Sequence, residues 1–310
     1  MEIEFLGTGA GLPSRQRNVS SLALKLLDEL NEIWLFDCGE ATQHQIIKTH
    51  IKPRKISRIF ITHLHGDHIF GLPGFLSSRS FQMAETEPLT IYGPKGIKSF
   101  IESSLKYSKT NLLYEIEIVE LDDQGGLIKL NQDWKVHYLP LEHGIKCFGY
   151  RIEEPSIPGR LKIDDLKPFN IPNGPLLGML KKGERITLAS GQVINGEDFL
   201  EPARKGRVIT ILGDTRMTKT IQPLAQEADI LVHEATHGKN EESLAKKYYH
   251  STSYQAAKNA KNNQVKLLLM NHISARYVGK DCYILQQEAQ EIFKNSYIVN
   301  DFDIFEIKTP

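Results

Sequence analysis

The chain has 310 residues, 40% hydrophobic and 25% charged, the balance of a globular protein with one large domain or two small ones. Basic and acidic residues number 38 each, which removes any global basic signal for nucleic acid but leaves a local patch open. No apolar run approaches the ~20 residues of a membrane span, the N-terminus has no basic-then-apolar leader, and the three cysteines are scattered, so a cytoplasmic protein without membrane contact is expected.

Taken in chain order, Ile3–Leu6 predicts a strand that breaks at Gly7-Thr8-Gly9-Ala10-Gly11. Ser21–Leu27 and Ile33–Phe36 predict a strand pair, and Ala41–His50 a helix. Arg58-Ile59-Phe60-Ile61 reads as a buried strand that leads into Thr62-His63-Leu64-His65-Gly66-Asp67-His68. Alternate strand residues share a face, so His63 and His65 are expected to project together, with Asp67 and His68 on the following turn. Imidazole and carboxylate donors at this density suit zinc and similar divalent ions. A structural zinc site would recruit closely paired cysteines, and Cys38, Cys147 and Cys282 are far apart in sequence. A hydrolytic metal site is therefore expected.

Further strands are predicted at Leu89–Tyr92, Glu115–Glu120, Gly126–Leu130 and Trp134–Leu139, with a helix over Gly96–Tyr107. In the second half the apolar runs Val208–Leu212, Ile230–Val232 and Val265–Met270 end at Gly213-Asp214-Thr215, His233-Glu234-Ala235 and Asn271-His272. Helices are predicted over Thr218–Gln226, Ser253–Asn262 and Tyr283–Asn295. Strands first, then strands alternating with helices, predict two sheets packed face to face with helices outside. A polar ligand recurs just past each buried strand, and Glu142-His143-Gly144 repeats that logic. A carboxylate between two such ends is suited to bridge two cations in a displacement at phosphorus.

Between Glu153 and Gly206 the pattern changes. Five of the 14 prolines fall between Pro155 and Pro175, with turns expected at Pro158-Gly159 and Ile171-Pro172-Asn173-Gly174-Pro175. Arg160, Lys162, Lys167, Lys181, Lys182 and Arg185 make the stretch basic, and Arg185–Leu188 with Gln192–Ile194 predicts a small hairpin around Ser190-Gly191. An insertion projecting from the body is expected, and a long loop of this kind is often functional.

His63-x-His65-x-Asp67-His68 followed by His143, Asp214 and His272 resembles the metallo-β-lactamase fold superfamily. Phe5-Leu6-Gly7-Thr8-Gly9, Leu35-Phe36-Asp37-Cys38-Gly39-Glu40, His250-Ser251-Thr252 and Asn271-His272-Ile273-Ser274-Ala275-Arg276-Tyr277 bring the resemblance closer, to the ribonuclease Z family of tRNA 3′-processing endonucleases. The resemblance covers nearly the whole chain. It implies an α/β fold, the αβ/βα four-layer sandwich, as one domain over 1–310 carrying a flexible arm at 155–205 as tRNA-binding exosite. It implies two Zn2+ per subunit, one held by His63, His65 and His143, the other by Asp67, His68 and His272, with Asp214 between them. It implies Asp67 as general base, precursor tRNA as substrate, a 3′-hydroxyl and a 5′-phosphate as product ends, and a homodimer.

His250 is the candidate general acid. Ser251 and Thr252 are candidate phosphate contacts, although residues of this type just before a helix are also ordinary caps. Arg276, Lys181 and Lys182 are further candidate substrate contacts. Glu234 is a candidate to orient a histidine, while His44, His50, His137 and His237 are read as structural or surface residues. The glycines at Gly7, Gly9 and Gly11 lack the helix that a dinucleotide site needs, so that reading is rejected; Arg15 and Arg17 are expected to face substrate or solvent. The alternative function is another hydrolase of the same fold acting on a small ester, thioester or phosphodiester, for which a basic arm has no evident use. A non-catalytic RNA-binding protein has no need of the intact ligand set.

Overall fold

The computed structural model describes residues 1–81, 88–156 and 159–308. Two seven-stranded sheets face each other. The first runs, edge to edge, Ile304–Glu306, Glu2–Gly7, Ser21–Leu26, Glu32–Phe36, Ile56–Phe60, Leu89–Gly93 and Ile116–Glu120. The second runs Ser296–Ile298, Leu267–Asn271, Ile230–Glu234, Val208–Leu212, Cys147–Glu153, Lys135–Leu141 and Gly126–Lys129. In each sheet the strands toward one edge are parallel and the others antiparallel. Parallel neighbours need long crossovers, and these carry the helices.

Side-chain alternation explains the layers. Trp34 and Phe36 point between the sheets, while Ile33 and Leu35 point to the outer helices. In the second sheet Ile209 and Ile211 point inward, and Val208 and Leu212 outward. Aromatic rings join the sheets, with Phe60 and Tyr150 centroids 5.4 Å apart and Trp34 and Trp134 5.6 Å apart. Both faces of each sheet are thus apolar, which forces a helix layer on each outer side. Helices Leu72–Phe81 and Ile97–Ser108 cover the first sheet, and Ser253–Asn262 and Cys282–Gln290 the second. The result is the expected four-layer αβ/βα sandwich.

Two local expectations are corrected. The strand before the histidine motif ends at Phe60, so His63 and His65 lie in an extended connection rather than in the strand. Asp67 and His68 belong to a short helix, Gly66–Ile69. The periodicity also gave no sign of strand Cys147–Glu153 or helix Leu72–Phe81. The helix holds Pro73 at its second position, where a missing N–H is tolerated.

The described residues of the proline-rich stretch carry secondary structure. It contains helices Ile163–Leu166 and Pro175–Lys181 and the hairpin Arg185–Thr187 with Val193–Asn195. Leu166, Leu180, Ile186 and Ile194 form its own small core. Its two connections run side by side, where Glu201 N–H donates to Arg160 O at 2.9 Å. Pro158, of the turn expected at Pro158-Gly159, lies outside the described residues.

Candidate metal centre

Asp37 organises the loop that bears the first histidines. It follows strand Glu32–Phe36 with φ 56°, a left-handed backbone. Its Oδ1 accepts Thr62 N–H at 2.7 Å and its Oδ2 accepts Thr62 Oγ1–H at 2.9 Å. The same Oδ2 lies 2.7 Å from His68 Nδ1. The loop after Val208–Leu212 comes in close from the other sheet: a Cβ on Gly213 would sit 2.6 Å from Thr62 Cβ, so glycine is needed to bring Asp214 in. His272 follows strand Leu267–Asn271 in a left-handed turn, φ 55°.

These strand ends converge. His63 Nε2 and His143 Nε2 each lie 3.1 Å from His65 Nδ1. Asp67 Oδ2 lies 3.4 Å from both His68 Nε2 and His272 Nε2. Asp214 Oδ2 stands between the two groups, 3.7 Å from His63 Nε2, 4.0 Å from His143 Nε2, 3.6 Å from His68 Nε2 and 3.2 Å from His272 Nε2. The seven residues therefore meet at one place, although their segments span both sheets.

The donor set fits divalent cations. Four of the histidines have Nδ1 engaged by an outer partner, leaving Nε2 inward: His63 by Thr62 Oγ1, His68 by Asp37, His143 by Tyr249 O and His272 by Thr236 Oγ1. Outer partners of this kind fix the tautomer and ring angle of metal-binding histidines. His68 Nε2 is buried without a hydrogen-bond partner, an arrangement that calls for a cation. Burial pushes His63 below the usual imidazole range, so its inward nitrogen carries a free lone pair. Burial opposes the charge on Asp214, yet His272 and His68 beside it hold its carboxyl well below the usual range.

The Gly-rich turn after the first strand belongs to this centre. Gly9–Ala10 pairs in parallel with Ile273–Ser274, and Gly11 N–H donates to Asp67 Oδ2 at 2.9 Å. Nothing in the sequence pattern joins Gly11 to Asp67. Arg17 faces neither substrate nor solvent, because it is buried and donates to Thr8 Oγ1 at 2.7 Å.

Beside the centre opens a cavity of about 380 Å³, lined by Gly11, His65, Asp67, His250, His272 and Arg276 among others. His250 Nδ1 lies 2.9 Å from Glu234 Oε1. Burial alone would lower the His250 pKa, but the Glu234 carboxylate raises it to about 9. Arg276 reaches the rim, 3.0 Å from Glu241 and 2.9 Å from His237 Nδ1. His237, read from sequence as structural or surface, also lines the cavity. Ser251 and Thr252 do not reach it with their hydroxyls. Ser251 Oγ–H donates to Thr215 O at 2.6 Å, and Thr252 Oγ1 caps helix Ser253–Asn262 by accepting Gln255 N–H at 3.2 Å. Both are buried: Thr252 is the helix cap, Ser251 ties instead to the Thr215 carbonyl, and neither hydroxyl faces the cavity where a phosphate contact was expected. Lys181 and Lys182 are exposed at the end of the arm helix Pro175–Lys181.

Comparison with known proteins adds four likenesses. A family model described as anti-Pycsar protein Apyc1 matches residues 1–152. The chain is 58% identical to the ribonuclease Z of Ligilactobacillus salivarius, across 100% of this chain and 98% of that protein. It superposes on the crystal structure of human tRNase Z, short form, with a TM-score of 0.71 and 30% identity, covering 99% of this chain and 100% of that one. A metallo-β-lactamase fold protein from Bacillus subtilis shares the fold, with a TM-score of 0.67 at 16% identity over 98% of each chain. With 58% identity to a ribonuclease Z over its full length, the chain belongs to the ribonuclease Z family.

Proposed function

We propose that this chain removes the 3′ trailer of precursor tRNA with two zinc ions per subunit, leaving a 3′-hydroxyl on the tRNA and a 5′-phosphate on the trailer. Metal-dependent tRNA 3′-endonuclease activity follows from the family. The observation that carries the two-ion reading is the place of Asp214 Oδ2, within 4.0 Å of imidazole nitrogens from both ligand groups. His63, His65 and His143 would hold one ion, Asp67, His68 and His272 the other, and Asp214 would bridge them. When bound, the ions would polarise the scissile phosphate and lower the pKa of a nearby water.

The chain's own groups account for the proton transfers. Burial opposes the Asp67 charge, but His272 and His68 hold its carboxyl well below the usual range, so it is ionised. It orients the attacking water and takes a proton from it, held in place by Gly11 N–H. A new P–O bond forms as the P–O3′ bond breaks. His250, kept protonated by Glu234, gives its proton to the departing O3′. Arg276 at the rim would meet a phosphate of the substrate.

The inserted unit at 155–205 supports a role as exosite of a single-domain enzyme. Its separate core and its exposed Lys181 and Lys182 suit a module that grips the tRNA body through phosphates, away from the chemistry. A homodimer is the proposed assembly. It is supported by exposed Ile47, Phe81, Tyr107 and Leu113 on or beside the helices outside the first sheet. A cytoplasmic setting is proposed, in keeping with three free, buried cysteines. No helix among the described residues is long and apolar enough to cross a membrane.

The deciding experiment is incubation of the zinc-loaded protein with a 3′-extended precursor tRNA, with mapping of the new ends. A tRNA fragment ending in a 3′-hydroxyl and a trailer beginning with a 5′-phosphate are expected. Inert precursor, or a 3′-phosphate on the tRNA fragment, would overturn the reading.

A further inference from the structure

Tyr249 has left-handed backbone, φ 60°. It ends helix Glu242–Lys247, where His250 N–H reaches back to Ala245 O at 2.8 Å. Glycine is the residue that such a helix end favours, because a Cβ there strains the backbone. An aromatic side chain at this place therefore needs a compensating role.

Its surroundings supply one. The Tyr249 carbonyl accepts His143 Nδ1–H at 3.1 Å. The Tyr249 ring lies against the Arg216 guanidinium, with Cζ 4.5 Å from the ring centroid. Arg216 is ion-paired with Glu142, and its N–H also donates to Glu142 O at 3.1 Å. Glu142 directly precedes His143, Arg216 stands two places after Asp214, and Tyr249 directly precedes His250. The three residues thus latch together three separate chain segments, each carrying a group of the centre.

We propose that Tyr249 is a positioning residue: its ring, held by the Arg216–Glu142 pair, fixes the carbonyl that sets the His143 tautomer and directs Nε2 to the metal site. The proposal rests on the reading of His143 as a ligand. A substrate-binding role fits less well. Tyr248 lines the cavity but Tyr249, Arg216 and Glu142 do not, and the Arg216 charge is already matched. A partly exposed ion pair adds little to global stability, so the effect of the latch is in orientation.

The test compares Tyr249→Gly and Tyr249→Phe in the full chain by three measurements: zinc affinity by chelator competition, melting of the metal-free protein, and kcat and KM on 3′-extended tRNA. Tyr249→Gly is expected to melt at or above the parent temperature, since glycine relieves the backbone. Its affinity for zinc and its kcat are expected to fall about 10-fold, with KM changed less than about 2-fold. Tyr249→Phe keeps ring and carbonyl and is expected to match the parent. Parental zinc affinity in Tyr249→Gly, an effect confined to KM, a melting temperature that falls with affinity, or a Tyr249→Phe as impaired as the glycine variant would each overturn the proposal. If the parent protein fails to cut precursor tRNA, the nuclease reading falls, and zinc affinity and melting still decide the latch.

Discussion

The Glu234 carboxylate lies 2.9 Å from His250 Nδ1 and is itself immobilised. Its Oε1 accepts Thr215 N–H at 2.7 Å, and its Oε2 accepts Ser251 N–H at 3.1 Å and Thr236 Oγ1–H at 2.6 Å. Burial opposes the Glu234 charge, but the adjoining His250 holds it ionised. The pair is thus a fixed anion beneath the proposed proton donor.

Its consequence is a pH profile. A donor with a raised pKa keeps its proton below that value and loses it above, so kcat is expected to fall as pH rises through about 9. In Glu234→Gln the raising charge is gone, and the alkaline limb is expected to move down by at least about one unit, toward the ordinary histidine value of about 6.5. The profile of kcat against pH checks this, and an unmoved limb would exclude His250 as the acid.

Loss of a ligand should separate folding from chemistry. Asp214→Ala and His65→Ala are expected to lower cleavage by at least about 100-fold while keeping the far-ultraviolet circular dichroism of the parent. Full activity in either purified variant would rule out the two-ion arrangement.

The arm can be removed where its two connections meet. Replacing Arg160–Glu201 with a short glycine-serine linker is expected to raise KM for precursor tRNA at least about 10-fold and to leave turnover of bis(p-nitrophenyl) phosphate within about twofold, because the proposed exosite would meet phosphates of the tRNA body and not the reacting group. Equal losses on both substrates would contradict an exosite.

Salt dependence tests the same contacts independently. Affinity for precursor tRNA is expected to fall log-linearly with salt through counterion release. Lys181→Ala and Lys182→Ala should each reduce that slope by about one if each meets a phosphate. A flat dependence in the parent protein would count against an electrostatic grip.

Metal removal should be visible without substrate. An ion that binds only the folded chain stabilises it by about 2.7 kcal/mol when free metal exceeds Kd about 100-fold. The urea midpoint is therefore expected to drop on chelation and to recover with zinc. Asp214→Ala should blunt the response. An unchanged midpoint would show that the donors hold no cation.

What the sequence made legible was what is local. His63, His65, Asp67 and His68 declare themselves by density, and His143, Asp214 and His272 by standing just past apolar runs. The helix at Ser253–Asn262 is announced by its own cap, Thr252 with Gln255. Asp37 also stands just past a strand, but nothing in the sequence pattern singled it out, because its hold on Thr62 and His68 depends on how two loops meet. The hydroxyls of Ser251 and Thr252 illustrate the limit. Residue type suggested a phosphate contact, but the direction of a side chain is set by packing, and both point into the protein. Gly11 acts through its backbone N–H, which no pattern of side chains reports. Strand Cys147–Glu153 was hidden because Gly149 and Arg151 interrupt its apolar run.

The ligand-bearing segments begin at His63 in the first half of the chain and end at His272, close to its last strands. On the proposed two-ion reading, a ribosome must deliver the chain through His272 before both ions can be held. Until His272 has emerged and the second sheet has docked, the early His63–His68 cluster offers only an incomplete cage. On the same reading metal capture waits for His272, and a product cut short before it would lack the complete proposed centre.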